Sequence, residues 1–188
     1  MIILLVLAGV RSNAQLESGN YLIGSDIADL QLGLDKGGNF SFRVDPKAAW
    51  FVIDNLALGT YLAFGLSTAT GAGTDISYGI GALGRYYFSK EEVSLIRQTR
   101  FFIEGNVGIE GDNPAVGDNT NGLGVGVGPG LTFFLSPNVG LEGLLKYNGI
   151  VGFGSSVTSN NLNLSIGFQI YLPSARLRQL REEMKEGQ

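Results

Sequence analysis

The feature that most constrains this chain is a period-two alternation of apolar and small or polar residues, repeated eight times between about residues 20 and 172. Alternate side chains of a strand point to opposite faces, so such a run describes a strand with two unlike faces. In the last run Leu162, Leu164, Ile166, Phe168, Ile170 and Leu172 share one face, against Asn163, Ser165, Gly167, Gln169 and Tyr171. Residues 123–133 set Leu123, Val125, Val127, Leu131 and Phe133 against Gly124, Gly126, Gly128, Gly130 and Thr132; residues 56–66 set leucines and Phe64 against Ala57, Gly59, Tyr61, Ala63 and Gly65. Further runs occupy about 38–52, 75–88, 101–111 and 139–148. The first, at about 20–34, alternates cleanly only from Ala28 onward, which predicts a bulge within 20–27. Turn residues separate the runs: Asp35 to Gly38, Asp54-Asn55, Gly71 to Gly73, Gly111 to Pro114, Ser136 to Asn138 and Ser155 to Asn161. No helical crossover intervenes, so neighbouring strands pair antiparallel and an even-numbered up-and-down barrel follows.

Which face meets solvent is decided by the composition of the polar face. It is built mainly from Gly, Ala, Ser and Asn, with few of the Lys and Glu that a hydrated exterior carries. Small residues suit the narrow interior of an eight-stranded barrel. The apolar face is therefore expected to meet lipid, giving an all-β, eight-stranded antiparallel transmembrane β-barrel. With the chain ends periplasmic, Trp50, Phe51, Tyr86, Tyr87, Phe88, Phe101, Phe102, Phe133, Phe134 and Tyr171 crowd one rim. A girdle at the membrane interface is expected there, with Trp50, Tyr86, Phe88, Phe101 and Phe133 as its members.

The same alternation sends eight charges inward: Arg43, Asp45, Lys47, Arg85, Glu104, Glu110, Glu142 and Lys146, four of each sign. Charges in a narrow core persist only when paired and hydrogen-bonded. Arg85 and Glu104 lie on consecutive strands at one height and are expected to form a direct ion pair, such that Glu104→Gln would strand Arg85. These long side chains either plug the lumen or form a constriction that selects ions, and the plug is the favoured reading because a glycine-lined lumen needs filling.

The chain has no His and no Cys, which removes the usual general base and the common zinc and thiolate sites. A net charge of −4 without a basic cluster argues against nucleic-acid binding. The glycine run 124–130 keeps period two, opens no helix and is followed by no Lys-Ser or Lys-Thr, so it is not a phosphate loop. Pro129 cannot donate to a sheet ladder, and a bulge is expected beside it. Asp26/Asp29 and Glu104/Glu110 are carboxylate pairs with no His, Cys or hydroxyl nucleophile in a recognisable arrangement, so no catalytic, cofactor or metal site is assigned. Ile2 to Val10 followed by Ser12-Asn13-Ala14 fits a signal peptide over 1–14, leaving 15–173 as the barrel. Residues 174–188 form a short tail with Ser174 as an N-cap and Leu177, Leu180 and Met184 on one helical stripe, which either rests on the barrel mouth or headgroups or stands solvated in the periplasm.

Pro46 to Gly59, reading PKAAWFVIDNLALG, together with Arg85-Tyr86-Tyr87-Phe88, Phe133 to Val139 and Leu164 to Phe168, resembles the strand–turn–strand signatures of small bacterial outer-membrane barrels with an OmpA-like eight-stranded domain. The resemblance spans about residues 18–172 and implies architecture, contact with outer-membrane lipids and insertion by the outer-membrane assembly machinery. The C-terminal extension departs from relatives that end at a terminal aromatic. The expected function is a non-enzymatic, monomeric outer-membrane protein of structural or surface-interaction type. The rivals are a narrow passive pore and a soluble barrel binding a hydrophobic ligand. The loops at about 68–74, 111–121 and 149–161 are expected to be mobile and name no partner.

Overall fold

A computed structural model describes residues 16–32, 39–69, 71, 73–88, 98–153 and 158–174. Eight strands, β1 (Tyr21–Leu32), β2 (Asn39–Ile53), β3 (Leu56–Ala69), β4 (Gly73–Tyr87), β5 (Thr99–Asn113), β6 (Thr120–Ser136), β7 (Val139–Gly152) and β8 (Thr158–Leu172), close in sequence order into one antiparallel barrel. The predicted signal peptide 1–14 and the tail beyond Ser174 lie outside the described residues. The rim that carries Tyr21 and Leu172 is called the near rim below, and the opposite one the far rim.

Two tight turns at the near rim set the register. Between β2 and β3, Asn55 adopts a left-handed φ of 65°, a conformation that Asn tolerates and most side chains do not. The preceding segment is tied to this turn: Ser18 N donates to Asp54 Oδ1 at 2.8 Å and Asn55 N to the Leu16 carbonyl at 2.8 Å. Register shifts between Phe51 and Ile53, and between Phe134 and Ser136, sit beside the two turns.

Three expectations are corrected. The first strand alternates regularly from Tyr21 to Ala28, and its register shift falls between Ala28 and Gln31, not within 20–27. Inward Leu22 and outward Ser25 disguise the pattern, because an apolar residue faces in where the barrel floor is apolar. No bulge accompanies Pro129: it pairs with Ile103, and the β6–β7 offset is the same at Val127↔Tyr147 and Gly130↔Leu144. The β6–β7 pairing is interrupted at Gly128 and Pro129, where the proline has no N–H to donate, without a shift in register. The strands also run further toward the far rim than their hydrophobic pattern. Only 70–72, 114–119 and 153–157 remain between β3 and β4, β5 and β6, and β7 and β8.

The two faces are chemically segregated. Among the strand residues whose side chains are described, no outward-facing position holds Asp, Glu, Lys or Arg; Ile27, Leu62, Ile80, Ile109, Val127 and Leu164 typify that surface. Outward aromatics gather in two belts, with Tyr21, Trp50, Tyr86 and Phe133 near one rim and Phe40, Phe64, Tyr78 and Tyr147 near the other.

Candidate lumenal site

The ten aromatics expected at the near rim do not share one fate. Trp50, Tyr86 and Phe133 are exposed on the outer wall, and Phe88 and Phe101 are half-buried there, with Tyr86 and Phe88 meeting edge-to-face at 5.6 Å. Phe51, Tyr87, Phe102, Phe134 and Tyr171 instead turn inward and are buried, with ring centroids 5.1–6.4 Å apart. Adjacent pairs such as Tyr86-Tyr87 and Phe133-Phe134 necessarily point to opposite faces, so clustering in sequence cannot make all of them a girdle. With Leu16 and Leu22 the inner rings form an apolar floor across the near end of the lumen.

Above this floor lie the inward charges. Arg85, fully buried, holds Glu104 at 2.6 Å and Glu142 at 2.7 Å, and its guanidinium stacks 4.0 Å from the centroid of the Phe102 ring. Lys47 bridges Glu104 at 2.9 Å and Asp26 at 2.6 Å, and Lys146 reaches Glu104 at 3.4 Å. Glu104 thus faces three cations from three strands. A closed circuit completes the base of the network. Arg85 Nη1 donates to Tyr87 Oη at 2.9 Å, the two tyrosine hydroxyls are 2.8 Å apart, and Tyr171 donates to Glu142 at 2.8 Å. Because Tyr171 has one proton and gives it to Glu142, Tyr87 must donate to Tyr171. Thr132 and Gln169 add bonds to Glu142 (2.8 Å) and Asp26 (3.0 Å).

Arg43 and Asp45 pair separately at 3.2 Å, half-buried toward the far rim. Glu110 accepts from the Tyr61 hydroxyl at 2.5 Å and from Asn106 Nδ2 at 3.3 Å. A polar cavity of about 90 Å³ opens beside it, lined by Arg43, Ser77, Asp112, Asn148 and Asn161 among others.

Sequence reasoning missed Asp26, which supplies the second carboxylate of Lys47, because it lies in the segment 20–27 whose irregular pattern predicts a bulge. It also missed Tyr61, Thr132 and Gln169, whose polar groups sit on the inward face of otherwise apolar or glycine-rich strands. The expected Arg85–Glu104 contact is present, but Glu142 shares Arg85, so loss of Glu104 would not strand it. Among the described residues, Lys146 is the cation whose only carboxylate within ion-pair distance is Glu104.

The glycines of β6 explain how these side chains fit. A Cβ at Gly130 would strike the Phe102 ring, and one at Gly124 would strike the Glu110 carboxylate. The alternating glycines therefore act as slots into which long side chains of β5 and β7 fold.

No family model matches the sequence, and no curated protein is similar to it. Solved structures share the fold. Neisserial surface protein A is 16% identical, with 82% of this chain and 94% of that chain covered at a TM-score of 0.51. The outer membrane protein OprG from Pseudomonas aeruginosa is 11% identical, with 83% and 97% covered at a TM-score of 0.50. At the level of fold, the chain is similar to the small eight-stranded outer-membrane barrels.

Proposed function

We propose that this chain is a non-enzymatic integral protein of the bacterial outer membrane, with its chain ends periplasmic, a lumen plugged by paired charges, and a structural or surface-interaction role. The observation that carries this reading is the segregation of charge. Where side chains are described, the outer wall bears no Asp, Glu, Lys or Arg, while acids and bases pair inside. A soluble carrier would need the inverse, with apolar side chains lining its cavity.

The spacing of the aromatic belts supports a bilayer. Tyr86 and Tyr78 are eight residues apart on β4. At ~3.4 Å per residue and a strand tilt of ~40°, they are separated by about 21 Å along the barrel axis, close to the ~25 Å apolar band of such barrels. The tight turns at Asp54-Asn55 and Pro137-Asn138 lie at the near rim, where the first strand begins and the last strand ends, as short periplasmic turns do. The plug reading draws on the buried rings of Phe51, Tyr87, Phe102, Phe134 and Tyr171 together with the ion pairs above them.

Outer-membrane fractions run on SDS gels, unboiled beside boiled, test the barrel assignment. A shift on boiling is expected, and recovery in the soluble fraction without a shift would overturn it. Planar-bilayer recording tests the plug. No discrete conductance is expected, and steady unitary steps would convert the reading to a narrow passive pore.

A further inference from the structure

Four carboxylates of described residues are buried in the lumen, and three of them have a cation within ion-pair distance: Asp26, Glu104 and Glu142. Glu110 is the exception among the described residues. It is 6% exposed and receives only neutral donors, the Tyr61 hydroxyl and the Asn106 amide. A buried carboxylate without a counter-charge is costly, and neutral hydrogen bonds offset that cost only in part.

A second observation points to the same place. Asn106 is 8% exposed, and its amide Nδ2 is committed to Glu110, which turns Oδ1 the other way; that oxygen is buried and has no donor. In register, Asn106, Gly126 and Asn148 lie side by side across β5, β6 and β7. A Cβ at Gly126 would touch both Asn106 Oδ1 and Asn148 Oδ1, so the two amide oxygens converge on the space above this glycine. One strand-step pair further along, the Glu110 carboxylate folds over Gly124, its Oε1 2.8 Å from the place a Cβ would take. Asn148 and Glu110 also line the cavity toward the far rim, where Asp112 adds a carboxylate.

The positive groups nearby are already engaged. Arg43, on the cavity wall, is held by Asp45 at 3.2 Å. Lys146 is held by Glu104 at 3.4 Å, its Nζ 5.9 Å from the Tyr61 ring centroid. No three acidic side chains converge among the described residues, so the donor set is one carboxylate with neutral oxygens. Oxygen donors of this kind suit hard cations such as Ca²⁺ or Na⁺ and not soft metals.

We propose that Glu110, Asn106 Oδ1 and Asn148 Oδ1 form a binding site for a hard cation in the far half of the lumen, reached through the cavity past Asp112. The site goes beyond the plug reading and does not depend on which side of a membrane the far rim faces. The ion supplies the counter-charge that Glu110 lacks and the partner that Asn106 Oδ1 lacks.

The test uses the folded full barrel in a zwitterionic detergent, stripped with a chelator. Its unfolding midpoint is followed by the gel shift in CaCl₂, NaCl or choline chloride at matched ionic strength. The midpoint is expected to rise with the logarithm of one metal ion's concentration once that ion saturates the site, and not with choline; the salt that works identifies the ion. Glu110→Gln is expected to abolish the rise, and Asn148→Ala to move its half-saturation to about tenfold higher concentration. Equal midpoints in all three salts would overturn the proposal, as would a response that survives Glu110→Gln unchanged. Should Glu110→Gln fail to fold, Gly126→Ala places a methyl between the two amide oxygens and must weaken the response. Terbium luminescence gives a direct readout, with Tyr61 beside Glu110 as the sensitiser. Emission that is displaced by CaCl₂ and lost with Glu110 or Gly126 substituted supports the site, and emission indifferent to both overturns it.

Discussion

Glu104→Gln tests the lumenal network at its most connected point. The carboxylate accepts from Lys47 at 2.9 Å, from Arg85 at 2.6 Å and from Lys146 at 3.4 Å, and it is 1% exposed. Glutamine keeps the shape but loses the charge, and its amide nitrogen must face at least one cation. Removing one partner of a buried ion pair costs about 3–5 kcal/mol. Here Lys47 retains Asp26 and Arg85 retains Glu142, so the lower end applies, about 3 kcal/mol. For a chain of this size, ~2–4 °C is lost per kcal/mol, giving a fall of roughly 6–12 °C in the midpoint of the boiling shift. The assay is the fraction of compact band against temperature in one detergent. Adding Lys146→Met removes the cation with no other carboxylate within ion-pair distance among the described residues, so the double variant is expected to recover part of the loss, with a coupling of ~0.5–3 kcal/mol. A Glu104→Gln midpoint within about 1 °C of the parent would refute the reasoning that these charges stabilise the barrel by pairing.

Other substitutions address the wall and the slots. Gly130→Val drives a side chain into the Phe102 ring and is expected to abolish the heat-shifted band, whereas Gly143→Ala, with nothing within 4 Å of the added carbon, is expected to leave it unchanged; gels of refolded protein distinguish them. Val127→Arg places a charge on the mid-height outer wall and is expected to cost about 2–4 kcal/mol in lipid vesicles, measured by urea titration. The same change at Val116, 84% exposed between β5 and β6, is expected to fall within about ±0.5 kcal/mol. A planar bilayer containing Phe102→Ala is expected to conduct more often than the parent, because that ring lies under Arg85 in the floor. Identical silence in both would place the barrier elsewhere in the lumen.

The strand count and the inward charges were legible because lipid demands apolar side chains at every second position and the narrow lumen tolerates the opposite. Arg85 and Glu104 could be paired in advance, since they are direct register partners on consecutive strands. Glu142 as the second partner of Arg85 could not, because it reaches across the lumen from β7 and that distance depends on barrel diameter and shear. The same limit hid the packing of the inward aromatics. Period two says that Tyr86 and Tyr87 face oppositely, but only the closed barrel shows that the inward rings meet. Asp26 was illegible for a different reason. Leu22 faces inward into an apolar floor, so polarity ceases to report direction at that end of β1.

The lumenal charges also reinforce the register that the apolar outer wall sets. A one-residue slip of a strand exchanges its two faces. For β5 that slip would move Glu104 and Glu110 to the wall together, and for β4 it would move Arg85. Each exposed charge near mid-height costs several kcal/mol in lipid, and each also abandons a partner that remains buried. The glycines of β6 act in the same sense. In the native register Gly130 receives Phe102 and Gly124 receives Glu110, whereas a slipped β6 would offer Leu131 and Val125 as inward neighbours, with no room for either side chain. Ion pairs and glycine slots therefore add to the hydrophobic pattern in opposing a one-residue slip.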